Sequence, residues 1–178
     1  MLENNGIFVK EYTDDDIDGM RAAWNEVVRD GIAFPQENEL SRDEAREFFA
    51  EQTSCGVAVT KSDGVEKVLG MYILHPNNVG RCSHISNASF AVRSECRGNG
   101  VGEALVRDCV KKAGEKGFGV LQFNAVVATN TAARRLYEKV GFTQLGTIPD
   151  GFRNNDGTYS DICPYYIKLE KRGSNHDI

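Results

Sequence analysis

The stretch that most constrains this chain is Phe90 to Val106, FAVRSECRGNGVGEALV, where an apolar run stops at a basic, Gly-rich turn that opens directly into a helix-forming segment. His84 to Val92 reads as a strand, and Glu103 to Lys116 has helical spacing, with Ala104, Leu105, Val106, Cys109, Val110 and Ala113 at the apolar positions. Between them Gly98, Gly100 and Gly102 release the backbone from Cβ sterics. Backbone N–H groups from Gly98 to Glu103 then converge at the positive end of a helix and Arg97 adds formal charge, a combination suited to a nucleotide-type phosphate. The same glycines also fit a tight βα turn with no ligand, and spacing alone leaves both readings open. Two familiar phosphate loops are set aside: no G-x-x-x-x-G-K-S/T occurs, and the third glycine of the dinucleotide fingerprint would fall on Glu103.

Upstream, Ile7 to Tyr12 alternates like a first strand. Thr13 followed by Asp14, Asp15 and Asp16 supplies an N-cap and first-turn acids for a helix running to about Val28. Consecutive acids splay over different helix faces, so this run reads as a helix start and not as a metal site. Asp30 to Leu40 is a connector, after which Ser41-Arg42-Asp43-Glu44 forms a capping box for a short helix ending near Glu51. Gly56 to Lys61 and Glu66 to His75 read as a hairpin around Ser62-Asp63-Gly64, closed by Pro76.

Downstream, Val120 to Val127 is a strand and Thr131 to Lys139 a helix. Phe142 to Ile148 and Asp161 to Leu169 are closing strands, joined by Pro149 to Ser160, a polar loop expected to overhang the site. Residues 1–170 thus read as a single domain and residues 171–178 as a polar C-terminal tail. Strands first, then strand–helix–strand–helix–strand, predict an α/β (α+β) fold.

The 40% hydrophobic and 26% charged content is that of an ordinary globular chain, and the net charge of −5 argues against a nucleic-acid partner. Five cysteines without paired C-x-x-C spacing suggest neither zinc nor a disulfide framework, and no metal is expected. With no leader and no apolar run of spanning length, the expectation is a cytoplasmic protein that does not engage a membrane.

Arg97-Gly98-Asn99-Gly100-Val101-Gly102 resembles the Q/R-x-x-G-x-G/A signature of the GCN5-related N-acetyltransferases. Thr129 to Phe142, TNTAARRLYEKVGF, is similar to that family's N-x-x-A-x-x-L/F-Y-E-K/R-x-G-F helix, with Asn130, Ala133, Leu136, Tyr137, Glu138, Lys139, Gly141 and Phe142 in register. The resemblance implies a mixed, mostly antiparallel central sheet of about seven strands flanked by about four helices, splayed near its middle. It implies acetyl-CoA as the acetyl donor, with Phe90, Ala91 and Val92 offering backbone groups to its pantetheine arm. Arg97, Gly98, Asn99, Gly100, Val101, Gly102 and Glu103 would grip the pyrophosphate, while Asn130, Ala133 and Tyr137 lie beside the coenzyme. A homodimer is implied by family habit alone.

The implied reaction is direct attack by an amine, with Tyr137 as general acid toward the departing thiolate and Asn130 beside it in the active site. The plainer readings are that Tyr137 is core packing and Asn130 an ordinary N-cap. Where many relatives carry a glutamate this chain has Ala125, so water, His84, Glu95 or prior deprotonation in solution is left to remove the amine proton.

Asn87 and Asn124 sit in otherwise apolar strand sequence and need partners, either each other across the sheet or a small polar ligand. HPNNVGRCSHISNASF and LQFNAVVATN are similar to the subgroup containing yeast N-acetyltransferases of proline analogues, which implies that Asn87 and Asn124, with His84 nearby, line the acceptor pocket. Many members carry Trp where this chain has Tyr137. A small-molecule amine, an amino or imino acid, is therefore expected, with peptide N-terminal acetylation or a silent coenzyme-binding regulator as the alternatives.

Overall fold

Along β3 (Val65–Pro76) the alternation of side chains decides where the helices pack. Met71 and Ile73 face one side and join a core with Trp24, Phe49, Val57 and Val59, whereas Tyr72 and Leu74 face the other and meet Leu105, Cys109, Leu121 and Tyr165. A sheet buried on both faces results, and the computed structural model describes it over residues 6–62 and 64–170.

The strands are β1 (Ile7–Glu11), β2 (Ser54–Ser62), β3, β4 (Ile85–Val92), β5 (Val120–Val127), β6 (Thr143–Gln144), β7 (Ile148–Arg153) and β8 (Tyr159–Lys168). Their order is β1-β2-β3-β4-β5-β8-β6, with β7 also on β8. Only β4 and β5 pair in parallel. The four helices are α1 (Ile17–Asp30), α2 (Arg42–Ala50), α3 (Val101–Glu115) and α4 (Thr131–Val140). The first two cover one face and α3 the other. This is the expected mixed, mostly antiparallel architecture, with eight strands where about seven were expected.

The extra strand has a local cause. Phe142 to Ile148 is broken at Leu145, whose N–H turns back to the Pro164 carbonyl (2.8 Å), and the expected overhanging loop is the hairpin β7–β8. Its turn is held by Asp156, which accepts the Thr158 N–H (2.9 Å) and hydroxyl (2.6 Å). The Asp14–Asp16 run forms a 3₁₀ turn whose Asp16 carboxylate accepts the Thr13 N–H (2.8 Å), ahead of α1. The Ser41–Glu44 capping box opens α2 as expected. α3 begins two residues before the expected Glu103, because Gly100 takes the left-handed conformation (φ 85°) that turns the chain into the helix at once. The expected tail, 171–178, and Asp63 of the hairpin turn lie outside the described residues.

Positioning of the site follows from one discontinuity. β4 and β5 pair only at Ile85↔Val120 and Ser86↔Leu121, where the fully buried Ser86 hydroxyl donates to the Val120 carbonyl (3.0 Å), and then part. β5 is irregular against β8 between Phe123 and Val126. The strands diverge as the resemblance implies, leaving a fork walled by Asn87–Val92 on one side and Phe123–Val127 on the other. No helix among the described residues is long and apolar enough to cross a membrane.

Candidate active site

A cleft of about 1060 Å³ occupies this fork and runs from the Gly-rich turn, past α4, to the ends of β3 and β5. It sits outside the carboxyl end of β4 and at the N-termini of α3 and α4, where open α/β sheets place ligands.

At the glycine end, Gly98 (φ 81°) and Gly100 (φ 85°) both adopt left-handed backbone, and a Cβ on either would meet nothing within 4 Å. Conformation, not room, requires glycine here. The turn and the opening of α3 leave the N–H groups of residues 98–103 without a hydrogen-bond acceptor among the described residues, since the helical ladder starts at the Ala104 N–H on the Gly100 carbonyl (3.0 Å). Unused donors at a helix N-terminus are suited to cradle an anion. Gly102 has a packing reason: a Cβ would lie 3.3 Å from Leu136 Cδ2, at the contact between α3 and α4. The side chain of Val101 is buried in the core, so its offering to a ligand is its backbone.

Charge around the cradle is balanced with care. The Arg97 guanidinium donates to Asp30 Oδ2 (2.8 Å), the last residue of α1, and to the Val92 carbonyl (3.3 Å). Glu103, an acid beside an anion site, is tied by Lys139 (2.6 Å) and Arg107 (2.9 Å), the same two partners that hold its carboxyl below the usual range. On β4, Phe90 and Val92 line the cleft while the Ala91 side chain is fully buried in the α1 core, leaving only its backbone for a ligand. Asn99 does not line the cleft.

At mid-cleft, the Asn130 carboxamide oxygen accepts the Ala133 N–H (3.2 Å) and caps α4. Tyr137 lies two turns on and its ring is gripped by Phe123 (centroids 4.6 Å), Phe142 (5.8 Å), Tyr165 (6.0 Å) and Phe90 (6.3 Å). The hydroxyl has no hydrogen-bond partner among the described residues, so the packing reading accounts for the ring and leaves the oxygen free. Burial, then the neighbouring Cys109 and Tyr165, push the phenol's pKa well above its ordinary value and keep it in the proton-bearing form. Tyr137 is accordingly expected to stay protonated at a pH where free tyrosine ionises, measured as the ultraviolet difference between the parent and Tyr137→Phe. Behind it, Arg134 bonds the Tyr165 hydroxyl (3.2 Å), the Ala128 carbonyl (3.1 Å) and Gln144 (3.2 Å), fixing α4 against β8. No local signal in the sequence announces that network, because its partners come from four separate segments.

At the far end Asn87 and Asn124 both line the cleft, but they do not pair with each other. Asn124 exchanges bonds with Asn77 (2.7 and 3.2 Å) and accepts from Gln122 (3.0 Å), whereas Asn87 accepts the N–H of Ala88 (2.8 Å). Asn124 is exposed because β5 borders the open fork, a circumstance its apolar neighbours conceal. His84 is exposed in the turn just ahead of β4 and does not line the cleft, and Glu95 is taken by Lys67 (2.8 Å) away from it. In their place the structure brings His75 and Glu51 to the cleft wall, neither of which sequence reasoning selected. His75 was legible only through register, since it pairs with Asn87 across β3 and β4.

Residues 21–142 match the model of the acetyltransferase (GNAT) family. N-acetyltransferase aca1 of Schizosaccharomyces pombe is 33% identical over 142 residues, covering 72% of this chain and 68% of that one. A GCN5-related N-acetyltransferase from Kribbella flavida superposes with a TM-score of 0.83 at 33% identity, over 92% of this chain and 98% of its own. A GNAT superfamily phosphinothricin acetyltransferase from Sinorhizobium meliloti, solved in complex with AcCoA, has the same fold, with a TM-score of 0.83 at 20% identity over 92% of this chain and 89% of its own.

Proposed function

This chain belongs to the GNAT family of acetyltransferases and is an acetyl-CoA-dependent N-acetyltransferase; we propose that its acceptor is a small amino or imino acid and that Tyr137 is the general acid. The observation that carries the acceptor is the orientation of Asn87. A backbone N–H can only donate, so the Ala88 contact fixes Oδ1 as the acceptor and leaves the Nδ2 hydrogens without a partner among the described residues, on a side chain that lines the cleft. Asn124 is oriented alike, its Oδ1 taken by Asn77 and Gln122 and one Nδ2 hydrogen left over. Two amides with donors to spare in the lining of one cleft complement a carboxylate. Among the described residues lining the cleft, Arg97 is the only Lys or Arg, and Asp30 holds it. Glu51, which has no ion-pair partner among the described residues, favours an ammonium in the same cleft. A peptide is disfavoured by the β7–β8 hairpin, which closes on the α1–α2 connector through the Arg153–Glu37 ion pair and the close approach of Gly31 to Asn155.

Bound acetyl-CoA supplies the activated carbonyl. The residue 98–103 cradle and Arg97 suit its pyrophosphate, Phe90 to Val92 its pantetheine, and Asn130 with Ala133 the space beside it. Tyr137 hands its proton to sulfur, a task for which a phenol held in its protonated form is suited.

The test is coenzyme A release, followed with a thiol reagent, on a panel of amino acids, cyclic imino acids, polyamines and short peptides. Saturable turnover on an amino or imino acid is expected, with Asn87→Ala losing roughly 10- to 100-fold in kcat/KM while acetyl-CoA affinity holds. Turnover on peptides alone, or silence across the panel despite tight coenzyme binding, would overturn the reading.

A further inference from the structure

We infer that His75 is the general base, its Nε2 taking the proton of the attacking amine. This rests on the acetyl transfer proposed above and adds a catalytic residue to it. His75 Nδ1 lies 2.9 Å from the Pro76 carbonyl oxygen, which can only accept. Nδ1 therefore carries the hydrogen in the neutral ring, and Nε2 carries the lone pair. The register His75↔Asn87 makes the imidazole the cross-strand neighbour of the amide that holds the acceptor, and directly paired residues in an antiparallel ladder place their side chains side by side on one face. Both line the cleft.

The other titratable groups in the cleft are already committed or unsuited. Asp30 on α1 holds Arg97, Glu103 on α3 is tied by Lys139 and Arg107, and Tyr137 on α4 carries the proton destined for sulfur. Glu51, just beyond α2, is an exposed carboxylate that serves the acceptor's ammonium as counter-charge. β4 and β5 bring amides and no charge to this wall.

The acceptor enters as an ammonium and gives one proton to His75 Nε2, which releases it to water in the open cleft. As the neutral nitrogen bonds to the carbonyl carbon and the C–S bond breaks, the Tyr137 O–H gives its proton to sulfur. The second nitrogen proton then restores the phenol through water, so atoms and charge balance.

The decisive variant is His75→Asn in the full chain, since an asparagine keeps an N–H for the Pro76 carbonyl and loses the titrating lone pair. Expected are a loss of about 100-fold in kcat/KM at pH 7 and disappearance of the acidic limb of its pH profile. Acetyl-CoA affinity and melting temperature should stay near the parent's, and added imidazole should restore part of the rate. Nitrogen-15 spectra of the parent's imidazole, with acetyl-CoA bound, should show the neutral Nδ1–H form. A variant within about threefold of the parent that keeps its acidic limb would assign the proton to Glu51 or water and overturn the inference. So would an Nε2–H tautomer, a result that stands even if no amine on the panel is acetylated and the proposed acceptor class itself fails.

Discussion

Tyr137→Phe is expected to lower kcat by about 10³-fold while leaving acetyl-CoA affinity and folding stability nearly unchanged. That separation follows from how the residue is held. Its ring packs against Phe90, Phe123, Phe142 and Tyr165, contacts that a phenylalanine reproduces, and its hydroxyl bonds to no described group that would be orphaned by its removal. What disappears is a proton donor whose surroundings keep it protonated. A rate loss of that size is about 4 kcal/mol of transition-state stabilisation, within reach of one positioned acid acting on a poor leaving group. Denaturant unfolding, coenzyme titration and steady-state kinetics on one preparation make the comparison. A loss of less than about tenfold would return Tyr137 to packing alone and leave sulfur to be protonated by water.

Gly100→Val is expected to weaken acetyl-CoA binding by about 100-fold or more. A β-branched residue at φ 85° is strained by roughly 1–3 kcal/mol, and the chain relieves that strain by leaving the left-handed conformation. The N–H groups of residues 98–103 then cease to point at one place, and several charge-assisted bonds are lost together. Gly80→Val is the matched control: Gly80 is also left-handed (φ 58°), its Cβ space is also open, and it lies off the cleft. Both variants should lose similar stability, whereas only the first should lose the coenzyme, as read by calorimetry. Equal coenzyme affinity in the two would mean that the turn is a structural βα connection and no cradle.

The glycine turn and the Asn130–Phe142 helix were legible because each is a local event. A left-handed residue before a helix and an asparagine capping its own third residue are written within a few positions of one another, so spacing reports them directly. The α3 start slipped by two residues for the same kind of reason, since apolar periodicity marks the buried face and is blind to the glycines that open the helix. The hairpin at Ile148 to Ser160 was hidden by its composition: a polar strand at a sheet edge looks like a loop until its partner is known.

Chain order and local chemistry, then, were enough to determine the mixed sheet, the glycine turn ahead of α3 and the tyrosine on α4, because backbone conformation and amphipathic spacing are fixed by near neighbours. Only the tertiary structure decided which groups share the cleft. The fork between β4 and β5 exposes Asn124, the β3–β4 register sets His75 beside Asn87, and the Arg97–Asp30 pair joins residues 67 positions apart. Each of these is a contact between distant segments, settled when two layers of helices bury the faces of one sheet, and a contact of that kind leaves no periodicity behind in the chain.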